Sequence, residues 1–183
     1  QYIAAAFTAG ASIVLMQEDR LGTFKDRTIA AAQQQEGAVI VVPDTLRALQ
    51  KAAKAYLDQY PALLKIGITG SSGKTTVKEL TAAILGQEKQ IVMNEGNLNS
   101  ETGLPLSVFS VRPEHEIGVF EMGMNRRGEI SELAAVLNPD IALITNIGTA
   151  HIGILGSKDA IAEEKKAIFS QFNGKQIGLI PEY

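Results

Sequence analysis

At 183 residues the chain is long enough for one good core or for parts of two domains. Its 45% hydrophobic and 20% charged residues describe a soluble globular protein, and a formal net charge of −3 argues against a nucleic-acid surface, which needs a clustered basic stripe. The absence of cysteine rules out disulfides, thiolate metal sites and cysteine catalysis, and fits a reducing cytoplasm.

The first sixteen residues, Gln1–Met16, are apolar enough to raise the question of a signal peptide. No basic leader precedes them, and Gln1, Thr8 and Gly10 interrupt the run. They read better as a short helix, Tyr2–Thr8, feeding a strand, Ser12–Met16. The chain starts on Gln rather than Met, so an N-terminal piece is expected to be missing. No stretch approaches the roughly 20 apolar residues of a membrane span, and membrane insertion is not expected. Ala30–Gln35 is a local bias that reads as a solvated helix face. Gly37–Val42 is a β-branched run, and Asp44 opens an amphipathic helix with Leu46, Leu49, Ala52, Ala53 and Leu57 on one face. Tyr60-Pro61 breaks that helix and marks a domain boundary.

Beyond the boundary, strand and helix alternate. Leu63–Ile68 is a strand, Val77–Leu85 a helix, Gln90–Met93 a strand, and Asn94–Ser100 a polar loop. Leu104–Phe109 reads as a helix, Ile117–Met122 as a buried strand, Gly128–Leu137 as a helix and Ile141–Thr145 as a strand. Ser157 caps a helix running through Phe169, and Gln176–Ile180 is a last strand. Strands separated by helices predict an α/β fold, a P-loop-type doubly wound parallel sheet.

Between the first of these strands and its helix stand Thr69, Gly70, Ser71, Ser72, Gly73, Lys74, Thr75 and Thr76. Strand, glycine loop, helix is the context a phosphate-binding loop requires. Gly70 and Gly73 let the backbone turn its N–H groups towards phosphate oxygens, and the helix adds its positive end. Lys74 can reach the β- and γ-phosphates, and the Thr75 hydroxyl is placed to ligate Mg²⁺. The commonest form of the motif asks for glycine where this chain has Ile68, so the loop is the narrower Gly-x-x-Gly-Lys-Thr-Thr form. The chain is expected to bind ATP or GTP. A glycine-rich turn with a chance Lys-Thr is the bland alternative.

In such a sheet, ligands gather at the carboxyl ends of the strands. Three more polar clusters fall there: the run Asn94–Gly103, Glu121 at the end of its strand, and Asn146 with His151. Glu121 stands where such enzymes keep a carboxylate for Mg²⁺, although a surface or capping carboxylate has the same spacing. A lone histidine such as His151 is more often structural than a ligand. His115 reads as exposed, and Lys165 and Lys166, inside a helix, read as a solvated face.

Taken together, the clusters carry a resemblance. The segments are Gly67-Ile-Thr-Gly-Ser-Ser-Gly-Lys-Thr-Thr76, Gly96-Asn-Leu-Asn-Ser-Glu-Thr-Gly-Leu-Pro-Leu106, Glu121-Met-Gly-Met-Asn-Arg-Arg-Gly-Glu-Ile130, Thr145-Asn-Ile-Gly-Thr-Ala-His151, and Gly156-Ser157 through Ile161-Ala-Glu-Glu-Lys165. In order and spacing the chain resembles the Mur ligases, the ATP-dependent amide-forming family of peptidoglycan synthesis. Within the family it is most similar to the branch that adds D-alanyl-D-alanine to UDP-N-acetylmuramoyl-tripeptide.

The resemblance implies that Lys74 is the phosphate-binding lysine and that Thr75 and Glu121 hold one Mg²⁺. It implies that His151 ligates a second metal and that Lys165 matches the lysine carbamylated on its ε-nitrogen, which adds an anion able to help hold Mg²⁺. Asn97, Asn99 and Thr102 match a loop lining the cleft, and Asn146 is expected to support the His151 loop. Residues 1–62 resemble the latter part of an N-terminal UDP-sugar-binding domain and 63–183 the first part of the central ATP-binding domain. The remaining segments, including a C-terminal domain, are expected to lie outside this chain, and these 183 residues alone are not expected to form the amide. No residue stands out as the base for the amine. Sister ligases (MurE-like or folylpolyglutamate synthase-like), a P-loop switch or motor, and a non-catalytic nucleotide-binding module remain as other readings.

Overall fold

The structure is a computed structural model that describes residues 2–34 and 37–182. Gln1, Gln35 and Tyr183, which the sequence reading included in its leader, its biased helix face and its tail, lie outside the described residues. The chain forms two compact units, Gln1–Leu49 and Gln50–Tyr183.

The first unit holds α1 (Tyr2–Thr8), β1 (Ile13–Gln17), α2 (Glu18–Gln34) and β2 (Ala38–Val42), with β1 and β2 parallel and Ile13 opposite Ala38. Gly37 precedes β2 because a side chain there would run into the Phe7 ring. α2 is longer than the biased run at its end suggests; Glu18 and Asp19 in its first turn favour the positive helix end. The helix α3 (Thr45–Leu57) opens where expected, with the Arg47 N–H donating to Asp44 Oδ1 at 2.9 Å. Among the described residues no helix is long and apolar enough to cross a membrane.

The second unit takes up the last turns of α3. Ala53 and Leu57 are buried in its core, and the Tyr56 hydroxyl donates to the Val111 carbonyl at 2.8 Å. Its sheet is five-stranded and wholly parallel, in the order β4 (Ile91–Met93), β5 (Ile117–Glu121), β3 (Leu64–Thr69), β6 (Ile141–Ile144), β7 (Ile177–Leu179). The helices between them are α4 (Lys74–Leu85), α5 (Gly103–Val108), α6 (Glu129–Leu137), α7 (Ile152–Leu155) and α8 (Lys158–Lys166), the last running into a tighter turn, Ala167–Phe169.

Each face of the sheet has its own cover, which is why β5 is buried along its whole length and β3 from Ile66 onward rather than at every second residue. Ile66, Ile68, Ile117 and Val119 face Ala82 and its neighbours on α4. Phe120 and Met122 face the other way, with Leu104 and Val108 of α5, Ile130 and Leu133 of α6, and Ile161 of α8. Successive residues of β5 thus serve opposite layers. Gly118 is glycine because a Cβ would sit 2.6 Å from the Phe120 ring. Chain order reverses beside β3: β5 lies on one side and β6 on the other, which opens a crevice at the carboxyl ends of the strands.

Truncating Leu133 to Ala is expected to cost about 2–5 kcal/mol, because its side chain is wholly buried. Leu80→Ala, on the exposed face of α4, should stay within about 0.5 kcal/mol. Urea unfolding of the two variants checks the pair.

Candidate functional site

Three strand ends build the site. The register sets Ile68 opposite Glu121 and Thr69 opposite Ile144, so the loops after β3, β5 and β6 leave the sheet at one level. Thr69 itself is buried, and its hydroxyl donates to the Met122 carbonyl at 2.9 Å, tying two of the three ends together.

The loop after β3 is shaped by its two glycines. A Cβ on Gly70 would collide with the Thr145 hydroxyl. Gly73 caps α4 with φ of 76°, a left-handed conformation that glycine adopts without steric cost. α4 therefore begins at Lys74, three residues before the apolar pattern that announced it, and its first-turn N–H groups have no partner inside the helix. Lys74 is half-buried, while Thr75 and Thr76 are exposed.

The segment after β6 holds this loop from the side. Asn146 accepts the Ser71 N–H at its carbonyl and the Ser72 N–H at Oδ1, both at 3.1 Å. Its Nδ2 donates to Ser72 Oγ at 2.8 Å, Thr145 Oγ1 donates to the Ser72 carbonyl at 2.6 Å, and the Gly148 N–H donates to Ser71 Oγ at 2.9 Å. The side-chain bonds of Asn146 go to Ser72 in the loop after β3, not to the His151 loop it was expected to support. The reason is the register, which brings the end of β6 beside the end of β3.

Glu121, only 2% exposed, accepts the Thr75 hydroxyl at 2.7 Å on Oε2 and Asn99 Nδ2 at 2.6 Å on Oε1. A hydroxyl and a carboxylate oxygen at this spacing are hard donors of the kind Mg²⁺ takes. Asn99 is thereby brought to the site. Asn97 is exposed, its carbonyl accepting the Asn99 N–H at 2.7 Å. Thr102, also exposed, stands at the N-cap of α5 without a side-chain cap bond, its hydroxyl 3.4 Å from Ser100 Oγ.

Lys165 is not on a solvated face. It is 1% exposed, and its ammonium makes no hydrogen bond or ion pair among the described residues. Its neighbour Glu164 explains the burial: that carboxylate accepts the Gly128 and Ile130 N–H groups at 2.8 and 3.1 Å, capping α6 and fixing how α8 is turned. Lys166 keeps the exposed position expected of it, beside Glu163. Burial, and then repulsion from Lys74, bring the Lys165 amine down to about 8, against which Glu164 acts weakly.

His151 lies half-buried at the start of α7 with φ of 67°, an uncommon conformation for a residue with a side chain. Burial, then the charges of Lys165 and Lys74, push its imidazole below the ordinary histidine value, while Glu129 opposes them. The neutral ring is the form that ligates metals. His151 thus feels the charges of both Lys74 and Lys165, and Lys165 that of Lys74, and the cluster is suited to an anion. Among the described residues no group of three or more His, Asp or Glu side chains converges as a ready metal cage. Thr75 with Glu121 fits one cation; His151 and Lys165 fit a second only if Lys165 gains an oxygen-donor group.

Three side chains that the sequence reading did not single out hold the site together. Glu129, 2% exposed, accepts the Glu101 N–H at 3.1 Å and the Asn125 N–H at 2.6 Å, pinning the loop before α5 against the one before α6. Asn94 and Lys78 are wholly buried beside Glu121. The signals were faint: Asn94 opens a loop rich in amides, and Lys78 follows Lys74 by one helical turn.

The chain belongs to the Mur ligase family: residues 68–182 match the Mur ligase middle domain. It is similar to UDP-N-acetylmuramoyl-tripeptide–D-alanyl-D-alanine ligases (MurF), 59% identical to that of Treponema pallidum over 145 residues, which cover 79% of this chain and 32% of the relative. It is 43% identical to the Bacillus subtilis ligase over 169 residues, 92% of this chain and 35% of the relative. The crystal structure of MurF from Acinetobacter baumannii superposes with a TM-score of 0.83 at 31% identity, over 97% of this chain and 42% of that one. MurF from Thermotoga maritima in complex with ADP does so at 0.77 and 28% identity, over 93% of this chain and 42% of that one. The chain spans about a third of the length of the sequence relatives it matches.

The Lys165 environment sets a pH dependence. Below pH 8 the amine is charged both folded and unfolded, so folding carries the full burial cost; between 8 and the ordinary 10.5 the folded form is already neutral and the cost is relieved. Lys165→Met is therefore expected to raise the urea midpoint at pH 7 in CO₂-free buffer, with the gain shrinking as pH rises through that window. A gain independent of pH would contradict this.

Proposed function

We propose that the chain is part of an ATP-dependent amide ligase that joins D-alanyl-D-alanine to UDP-N-acetylmuramoyl-tripeptide through an acyl phosphate. The observation that carries this reading is Lys165. A phosphate loop alone serves many nucleotide enzymes, whereas a lysine only 1% exposed, with its pKa lowered by burial and by the charge of Lys74, suits a site built to be carbamylated. Carbamylation needs a neutral amine, and an amine near 8 is neutral at pH 7.5 on the order of 200 times more often than an ordinary lysine. The likeness to the MurF ligases supports the substrates, and the ADP complex of the Thermotoga maritima enzyme supports ATP as the nucleotide.

In the first step an oxygen of the substrate carboxylate attacks the γ-phosphorus of ATP, and the bond to the leaving ADP oxygen breaks. In the second, the dipeptide amine attacks the acyl carbon; the C–N bond forms, phosphate leaves with its oxygen, and the amine gives up a proton. Phosphorylation is needed because a free carboxylate does not acylate amines at neutral pH. The protein's part is alignment and charge neutralisation. Gly70, Gly73 and the N–H groups at the start of α4, from Lys74 through Thr76, receive the phosphates. Thr69, Ser71 and Ser72 shape that loop, and the Lys74 ammonium balances charge on the transferred group.

Thr75 and Glu121 would hold one Mg²⁺, and His151 with carbamylated Lys165 a second. Bound there, the cations would offset the charge developing on the phosphoryl oxygens. Asn99 orients Glu121, Asn97 and Thr102 line the cleft, and Asn146 braces the phosphate loop.

Residues 1–62 are read as the latter part of the UDP-sugar-binding domain and 63–183 as the first part of the ATP-binding domain. The compact division at Leu49 assigns the second half of α3 to the latter unit. The enzyme is read as cytoplasmic, where ATP and the UDP-linked precursor are available.

In the full-length ligase, ADP release with UDP-N-acetylmuramoyl-tripeptide is expected with D-alanyl-D-alanine and not with single amino acids. Turnover with a single amino acid instead would move the enzyme to a sister ligase. Lys165→Ala is expected to cut kcat at least about a hundredfold, as loss of a group that orients metal and substrate does, with partial rescue by a small carboxylate such as formate. Full activity without rescue would remove Lys165 from the site.

A further inference from the structure

We propose that Lys78 is a positioning residue for the cation held by Thr75 and Glu121, acting through Asn94; this rests on reading that pair as metal ligands. Lys78 is 0% exposed, and its ammonium donates to the Asn94 carbonyl at 2.6 Å. Asn94, equally buried, spends its side-chain amide on the backbone of Glu121: Oδ1 accepts the Glu121 N–H at 2.9 Å, and Nδ2 donates to the Glu121 carbonyl at 3.0 Å. The same Nδ2 also donates to the Leu98 carbonyl at 2.9 Å. One amide therefore grips Glu121 at both of its peptide groups, just beyond the point where β4 stops pairing with β5.

Thr75 and Lys78 are three residues apart on α4 and so share one helix face. α4 is tied to the ends of β4 and β5 at two points, Thr75 to the Glu121 carboxylate and Lys78 to Asn94. These two ties differ in what a cation does to them. A cation that takes both the Thr75 hydroxyl and the Glu121 oxygen replaces the bond between them. The Lys78–Asn94 bond is then the hydrogen bond left between α4 and these strand ends among the described residues. It keeps the helix that carries one ligand in register with the strand that carries the other. Residues behind a metal's ligands fix their orientation in this way.

The alternative partner of Lys78 does not explain its burial. Glu79 Oε1 lies 3.0 Å from its Nζ, but the Glu79 side chain is half exposed, and pairs open to water contribute little. An apolar side chain of the same length would fill the space without the cost of burying an ammonium.

The test uses the full-length ligase and Mn²⁺ as a spectroscopic stand-in for Mg²⁺, with Mn²⁺ binding to the enzyme–ADP complex followed by electron paramagnetic resonance. Lys78→Met, which retains length and apolar bulk, is expected to weaken Mn²⁺ binding by about 10- to 100-fold. ADP affinity in EDTA should be retained, and activity should recover as Mg²⁺ is raised. Parent-like Mn²⁺ binding, with or without a lower melting temperature, makes Lys78 structural only and overturns the inference. Should Lys78→Met fail to fold, Asn94→Ala decides in its place: it removes the grip on Glu121, and parent-like Mn²⁺ binding overturns the inference equally. Glu121→Gln separates the two levels of the argument. If it too binds Mn²⁺ as the parent does, the metal reading of Thr75 and Glu121 fails; if it loses Mn²⁺ while Lys78→Met does not, only the role of Lys78 falls.

Discussion

The site depends on the register of a parallel sheet. Ile68 opposite Glu121 and Thr69 opposite Ile144 bring the glycine loop after β3, the Glu121 carboxylate and the Thr145–His151 segment to one edge. Side chains alternate between the faces of a strand, so a slip of one residue in β5 would turn Glu121 away from α4 and place Phe120 against Thr75. The apolar layers forbid that slip. Val119 belongs to the layer under α4 and Phe120 to the layer under α5 and α6, and Gly118 gives the Phe120 ring the space it needs. Core packing, rather than any bond within the site, therefore decides which way the carboxylate points.

Electrostatics supply the second constraint. Lys74 and Lys165 repel one another, both depress His151, and Lys165 is buried with only a weak opposing influence from Glu164. A fold pays for such an arrangement in stability, and perturbed groups of this kind gather at functional sites. The loops facing these groups are braced from behind. Glu129 joins two of them, Glu164 caps α6, and Asn146 holds the glycine loop after β3, so the charged groups are presented from fixed backbone.

Much of this was legible in the residues. Alternating apolar runs and amphipathic stretches located every strand of the second unit to within a residue or two, because a doubly covered parallel sheet leaves continuous β-branched runs. The glycine loop between β3 and α4 could be read because its glycines, lysine and threonines are contiguous. α2 was less legible: apart from the biased run at its end, no apolar stripe announced it. The short α7 after His151 also escaped notice, since four residues carry no period.

What the sequence by itself determined is structure that lies close along the chain: the glycine turn into α4 at Gly70–Thr76, the strand ending in Glu121, the cap at Ser157. Tertiary structure decided everything that requires two distant segments to meet. Lys165 has the local pattern of a solvated helix face, and it is buried because Glu164 is drawn to the end of α6. Asn146 lies five residues from His151 in sequence, yet its side chain is bonded to Ser72, because β6 pairs with β3. Lys78 follows Lys74 by one turn and is enclosed because α4 lies over the ends of β4 and β5. Local periodicity reports which face of an element is apolar. Which polar group is shut in behind that face depends on what packs against it, and no window of sequence contains both sides.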